Sequence, residues 1–173
     1  MRFNGAANHF QVIGPTGQPT GDAPVTVAAV VWPVLPLTGK VVHFGSNLGG
    51  TDESAFLSAN GSNWTFGSFG GNSGSSFTPP GDTVWAILTG VYNGPAGTWR
   101  IYVNGVLEDG KAEVPPYPNY AADRLVIGAD NALASEYFSG NIAEIVLYDH
   151  ALSGPQIDAL NAYFSAKYAI PLP

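Results

Sequence analysis

Five residues in or beside two long loops are the strongest candidates for ligand chemistry. The loops, residues 70–82 and 109–123, are rich in Gly, Ser and Pro. Aromatic rings can lie against the C–H faces of a sugar, and amide side chains can hydrogen-bond to its hydroxyl groups. The sequence therefore predicts a glycan site built from Trp64, Phe69, Asn72, Tyr117 and Tyr120. The alternative for the two tyrosines is that they fold back and cap the core.

The other large aromatic residues lie in apolar, strand-like segments, where packing inside the protein is the expected role. We expect Trp32, Trp85, Tyr102 and Tyr148 to be core residues. Glu144 is the acidic exception in an apolar segment, and we expect it to be hydrogen-bonded to a neighbouring part of the structure.

Two short acidic segments supply the hard oxygen ligands that calcium prefers. Asp52-Glu53 follows Asn47-Leu48-Gly49-Gly50, and Asp130-Asn131 follows Gly128. We predict calcium as the metal that these residues could hold, with solvated turn residues as the alternative, and we expect no cofactor to be required. The three histidines are far apart in sequence and share no zinc or triad motif.

Composition and charge exclude several classes of partner. The chain has 173 residues, no cysteine and a formal net charge of −7 with only six Lys plus Arg. Nucleic-acid binding needs a basic surface, and anionic membranes attract basic segments, so we expect neither nucleic acid nor membrane insertion. The first ten residues lack the apolar stretch of a signal peptide.

The arrangement of apolar segments predicts an all-β domain with one helix. Short β-rich runs alternate with turn signals, and Asn104-Gly105 is typical of a tight hairpin. Ser153 and Gln156 form a capping pattern ahead of apolar residues at helical spacing, which predicts a helix at about 155–168. No linker composition divides the chain, so residues 1–173 are expected to form a single domain.

Several motifs occur in an order that resembles a known family along nearly the whole chain. They include RIYVNG at 100–105, FSGNIAEIVLY at 138–148 and YFSAKY at 163–168. In this order they resemble the bacterial and phage branch of laminin-G-like domains, which are concanavalin A-like lectin/glucanase jelly rolls. The resemblance implies a two-sheet antiparallel jelly-roll sandwich with one C-terminal α-helix, in which the first and last strands are neighbours. It also implies that calcium is a common ligand.

The resemblance includes glucanases, but the pattern of their catalytic carboxylates is missing. In those enzymes the carboxylates stand two residues apart on one strand and so share a face. Here Glu144 and Asp149 are five residues apart. We therefore expect no enzymatic activity, and a jelly-roll glycosidase is the least favoured alternative.

Two functions remain open at this point. The first is a non-catalytic carbohydrate-binding or adhesion module on an extracellular or virion surface, with a glycan or cell-surface polysaccharide as partner. The second is a structural phage virion protein, a head-decoration or tail-fibre domain, which contacts capsid or tail proteins and binds no glycan. A virion protein would reach the outside without a signal peptide.

Overall fold

The strands and the helix follow the predicted pattern. The computed structural model describes residues 1–46, 53–61, 63–68, 74–77, 84–95, 97–112 and 118–173. These residues form two six-stranded antiparallel sheets and a single C-terminal helix, which confirms the predicted sandwich.

The first sheet, sheet A, has the strand order β1-β12-β3-β8-β9-β10. Its strands are β1 (Arg2–Asn4), β12 (Ser139–Tyr148), β3 (Val25–Pro33), β8 (Ala86–Tyr92), β9 (Thr98–Val103) and β10 (Val106–Ala112). The first and last strands of the chain are neighbours, because Arg2 pairs with Asn141 and Phe3 with Gly140.

The second sheet, sheet B, has the order β2-β11-β4-β5-β6-β7. Its strands are β2 (Phe10–Ile13), β11 (Arg124–Ile127), β4 (Leu37–Gly45), β5 (Ser54–Gly61), β6 (Asn63–Ser68) and β7 (Gly74–Phe77). An irregularity in register between Lys40 and Val42 shifts β4 against β5.

The main core lies between the two sheets and is rich in aromatic rings. Alternate residues of β3 point into it, namely Val25, Val27, Ala29 and Val31. Gly90 of β8 leaves room for the ring of Phe66 from the opposite sheet, since a Cβ at Gly90 would lie 2.2 Å from Phe66 Cγ. The contact between the Phe66 ring and the backbone of Gly90, which has no side chain, therefore sets the distance between the sheets at this point.

The helix α1 (Gly154–Tyr168) covers the outer face of sheet A. Its buried residues Ile157, Leu160 and Phe164 join a second apolar cluster with outward-facing strand residues such as Val30 and Ile87. Gln156 Oε1 accepts hydrogen bonds from the backbone N–H and the hydroxyl of Ser153, as the capping pattern predicts. No helix in the described part of the chain is long and apolar enough to span a membrane.

Both chain ends are attached to β12. The amino group of Met1 donates to the Ile142 carbonyl at 2.6 Å. Near the other end, Lys167 Nζ and Tyr168 Oη donate to the Glu144 carboxylate at 2.9 and 2.8 Å. This confirms the structural role expected for Glu144, and the lysine holds the pKa of its carboxyl below the usual value.

Candidate functional site

Two of the five predicted glycan-binding residues belong to the core. Trp64 is 1% exposed and Tyr120 is 2% exposed. On β6, Trp64 pairs with Ala59 and points into the core, where its ring lies 6.5 Å from that of Phe138. The prediction that these rings meet a ligand is therefore wrong for Trp64 and Tyr120, because both are already packed against protein.

Tyr120 is fixed by its backbone as well as by its ring. Its N–H and C=O exchange hydrogen bonds of 2.8 Å with Gly21, so the segment is tied to the chain that leads into β3. The ring lies 5.4 Å from Phe44 in an edge-to-face arrangement. Tyr120 therefore follows the alternative prediction for the two tyrosines, in which the side chain folds back and caps the core. Phe69, Asn72 and Tyr117 lie outside the described residues.

The acidic residues predicted to bind calcium divide into different roles. Asp130 caps its own loop, because its carboxylate accepts from Ala134 N–H, Ser135 N–H and the Ser135 hydroxyl. Asn131 is 1% exposed and donates from Nδ2 to the carbonyls of Gly45 and Ser46 at 3.2 and 3.3 Å.

The same contacts bring Glu53 towards Asn131, because Ser46 N–H donates to the Glu53 carbonyl at 3.0 Å. Asn131 Oδ1 is a buried acceptor without a hydrogen-bond partner. This oxygen suits a hard cation, but no cluster of three or more His, Asp or Glu side chains occurs among the described residues. Asp52 lies outside the described residues, and calcium stays a prediction.

A buried histidine lies beneath the Asp130–Asn131 loop on the outer face of sheet B. His43 Nδ1 accepts from the Asn131 N–H at 2.9 Å, so Nδ1 carries no proton. Its Nε2 lies 2.9 Å from the Ser54 hydroxyl and has the proton to donate. Burial, with a smaller contribution from the Lys40 charge, lowers the pKa of His43 to about 3. His43 is therefore a neutral structural residue.

Lys40 completes this buried polar layer. Its ammonium lies 3.4 Å from the centre of the Phe56 ring and 3.4 Å from the Glu136 carboxylate. Burial lowers the pKa of Lys40, and the nearby Glu136 charge works in the opposite direction. The layer attaches the 128–137 loop to the sheet and offers a ligand little free surface.

An accessible pair of aromatic rings lies instead on the outer face of sheet A. Trp32 is 37% exposed, and its ring lies 5.6 Å from that of Trp85 at an interplanar angle of 80°. Trp85 is half-buried and also packs against the cluster under the helix. The expectation that Trp32 is a core residue is wrong, and for Trp85 it holds only in part. We call these two residues the tryptophan pair.

The end of the helix explains why the tryptophan pair is accessible. Along β3 the outward residues are Thr26, Ala28, Val30 and Trp32, and of these Ala28 and Val30 lie in the cluster under the helix. The chain contacts Glu144, opposite Val30, through Lys167 and Tyr168 in the last helical turn. Trp32 is the next outward position and lies beyond the helix.

A polar side chain stands directly beside the tryptophan pair. Asn141 of β12 is the register partner of Trp32, and residues opposite each other on adjacent strands share a face. The Asn141 side chain makes no hydrogen bond to any residue that the structure describes. The surface continues through Val34, Leu35 and Val84, all of which are exposed. The result is an apolar platform with an amide at one side.

Tyr102 and Tyr148, the other expected core aromatics, are half-buried on the same outer face and pack against the cluster under the helix. Their expected packing role is confirmed, with the helix rather than the opposite sheet as the packing partner.

A family comparison identifies the superfamily. A model described as the concanavalin A-like lectin/glucanases superfamily, of laminin-G type, matches residues 4–158. The chain belongs to this superfamily. A search of curated protein sequences found no match.

Solved structures with the same fold are distant in sequence. A heptameric pentraxin from Limulus polyphemus is 17% identical with a TM-score of 0.72, over 92% of this chain and 80% of the pentraxin. Domain 4 of an extracellular arabinanase from Geobacillus stearothermophilus, solved with arabinotriose, is 20% identical with a TM-score of 0.67, over 92% and 75%. Mouse laminin α1 domains LG4-5 are 13% identical with a TM-score of 0.64, over 89% and 43%. At these identities the likeness shows the fold alone.

Proposed function

We propose that this superfamily member is a non-catalytic carbohydrate-binding module whose ligand lies across the tryptophan pair and Asn141. The exposed edge-to-face pair on a rigid sheet carries the proposal. An apolar aromatic surface with a few well-placed polar groups is the usual composition of a sugar site. The structure solved with arabinotriose has the same fold and supports the class of ligand.

The rigidity of the platform favours binding. Trp32 lies in β3 and Trp85 directly precedes the adjacent strand β8 of the six-stranded sheet, and Trp85 packs against the cluster under the helix. A ligand therefore does not have to order these side chains, and association costs less conformational entropy than at a flexible loop. We propose an extracellular or virion surface as the setting in which such a module meets glycans.

A glycan array tests the proposal directly. Because the chain has no cysteine, a single fluorescent label for detection on the array can be attached to a Thr16→Cys variant. Thr16 lies in an exposed turn at the end of the sandwich opposite the tryptophan pair. We expect binding to a set of glycans that Trp32→Ala reduces at least about fivefold, since one aromatic contact of this kind is worth about 1 kcal/mol or more. A well-folded protein that binds no glycan would contradict the proposal and favour the structural virion role.

The same protein is expected to release no reducing ends from β-glucans, agarose or capsular polysaccharide. Glu144, the carboxylate on the outer face of sheet A, is held by Lys167 and Tyr168. Asp149 lies beyond the end of β12 and is bound to His150 at 2.9 Å. Turnover that disappears on substitution of one carboxylate would overturn the non-catalytic assignment.

Calcium is proposed as a structural ion of the loop that contains Asn131, with Glu53, Asp52 and the free Oδ1 of Asn131 as candidate ligands. If it binds there, calcium raises the melting temperature and the chelator EDTA removes the increase. Asn131→Ser would abolish the effect. An identical melting temperature with calcium and with EDTA would exclude a stabilising ion.

A further inference from the structure

The face that carries the tryptophan pair continues onto the first strand and ends in a positive charge. Arg2 is the register partner of Asn141, and Asn141 is the partner of Trp32. The pairing of Val31 with Ala86 places Trp85 opposite Trp32. Phe3, next to Arg2, is buried in the core, so Arg2 faces outward with the others. Arg2, Asn141 and Trp32 thus form one row across β1, β12 and β3, and Trp85, directly before β8, continues it.

The length of the row suits more than one sugar unit. Adjacent strands lie about 4.8 Å apart, so the three spacings between β1 and β8 separate the backbones of Arg2 and Trp85 by about 14 Å. If one sugar unit lies on the tryptophan pair, Arg2 is free to contact a neighbouring unit of the same oligosaccharide. Asn141 lies between the two positions and can hydrogen-bond to either.

The charge of Arg2 is free to meet a ligand. Its side chain is exposed and makes no ion pair or hydrogen bond with any described residue. By contrast, the basic residues Lys40, Arg124 and Lys167 each have a carboxylate partner within 4 Å. Glu144, which shares the outward face of β12, is neutralised by Lys167 at 2.9 Å and does not compete for Arg2. In a chain of net charge −7, an unpaired arginine in such a row is unusual.

We infer that this row is a binding site for acidic oligosaccharides, in which the Arg2 guanidinium pairs with the carboxylate of a uronic or sialic acid unit. The flat guanidinium can donate two parallel hydrogen bonds to a carboxylate. The inference rests on the proposed function and adds the ligand class to it. It also explains how a protein with a net negative charge can hold an acidic glycan, because the local charge of the row is positive.

The experiment compares each acidic glycan with its own neutral form. A panel of uronic-acid-containing and sialic-acid-containing oligosaccharides is measured by calorimetry beside the carboxyl-reduced version of each, which keeps the rings and removes the charge. We expect the acidic form to bind at least about tenfold more tightly, the size of effect typical of a charge-assisted hydrogen bond. The preference should weaken as salt is raised, because the site is exposed.

Matched variants assign the preference to Arg2. Arg2→Gln should bring the acidic and reduced forms to equal affinity while the Trp32-dependent binding of the reduced form stays. Arg100→Gln is the control, because Arg100 also faces outward on sheet A, opposite Val91 and away from the row, and its loss changes the net charge equally. That variant should keep the preference. Arg2 is exposed, so both proteins are expected to melt at the wild-type temperature.

The outcomes separate the two proposals. Equal binding of acidic and reduced forms, still lost in Trp32→Ala, would overturn the acidic ligand and leave the carbohydrate-binding function standing. A preference that survives Arg2→Gln would remove Arg2 from the site. Absence of binding to every glycan of both forms would overturn the function and the ligand class together.

Discussion

At the scale of single residues, exposure separates the tryptophans into two groups with opposite expected phenotypes. Trp32 is partly exposed, whereas Trp64 and Trp99 are enclosed by other rings. Tyr92 stacks on Trp99 at 4.4 Å between ring centres, and Phe66 lies 5.1 Å from it. All three positions carry tryptophan, so the residue type does not distinguish them. The face of the sheet on which each side chain lies decides whether the ring is available for binding or packed in the core.

Trp64→Ala is expected to lower the free energy of unfolding by about 3–5 kcal/mol, the usual cost of truncating a buried large aromatic residue. Trp32→Ala should lower it by less than about 1 kcal/mol, because this ring is partly exposed and leaves no enclosed cavity. Urea denaturation of the two variants gives both values. A larger loss for Trp32→Ala than for Trp64→Ala would contradict the burial of the two side chains.

His43 should make the protein sensitive to mild acid. Its pKa is about 3 in the folded chain, against an ordinary value of 6.5. Below pH 6.5 the unfolded chain takes up a proton that the folded chain refuses. The histidine's contribution to stability is therefore complete above pH 6.5 and is lost as the pH falls towards 3. The loss is at most about 1.4 kcal/mol per pH unit.

The measurement is the urea midpoint between pH 7 and pH 5, where most carboxylates stay ionised in both states. We expect His43→Gln to be less stable than the wild type at pH 7 but to lose less stability on acidification. A pH dependence unchanged by His43→Gln would mean that this ring is protonated in the folded protein.

At the scale of elements, the helix determines which part of sheet A is available. It hides Ala28, Val30, Ile87 and Val91 and stops before Trp32. Deleting residues 153–173 is expected to expose this cluster, and the truncated protein should aggregate or bind a hydrophobic dye. Deleting only the exposed residues 171–173 should leave solubility unchanged. A soluble, dye-negative protein without the helix would show that the sheet face needs no cover.

The sequence predicted the elements better than the site. Hairpin turns, the capping pattern at Ser153 and the apolar strands locate nearly every element, because local propensity and turn chemistry decide them. The run Val25 to Trp32 is apolar at nearly every position, which is typical of a strand covered on both faces. The structure confirms this up to Val31. The exposure of Trp32 depends on where α1 ends on the sheet, and α1 lies more than 120 residues further along the chain. The local sequence around Trp32 therefore could not predict it.

The alternation of inward and outward side chains along β3 could have predicted the face of the sheet on which Trp32 lies. If Val25, Val27, Ala29 and Val31 face the core, Trp32 must face outward. The same alternation places Trp64 on the inward face of β6 with Phe66. The Gly- and Ser-rich loop that follows this strand instead suggested a binding role for Trp64. The buried polar layer around His43 depends on contacts between residues 88 positions apart and left no pattern in the sequence.

At the scale of the whole molecule, the two sheets are held at a fixed distance by complementary surfaces. Gly90→Ala is expected to cost about 1–3 kcal/mol, because the added methyl group would meet the Phe66 ring and must displace it in a packed interior. Gly154→Ala is the control, since a Cβ there meets nothing within 4 Å. Thermal denaturation of both variants tests this. Equal melting temperatures would show that the sheets can move apart freely.

The attachment of both chain ends to β12 has a mechanical consequence. Met1 and the last helical turn meet this strand at Ile142 and Glu144, at the same end of the sandwich as Trp32. Any body joined to either terminus would therefore be tethered at the corner that also carries the row. A pulling force between a bound glycan and that tether would cross only this corner and would not stretch the sandwich.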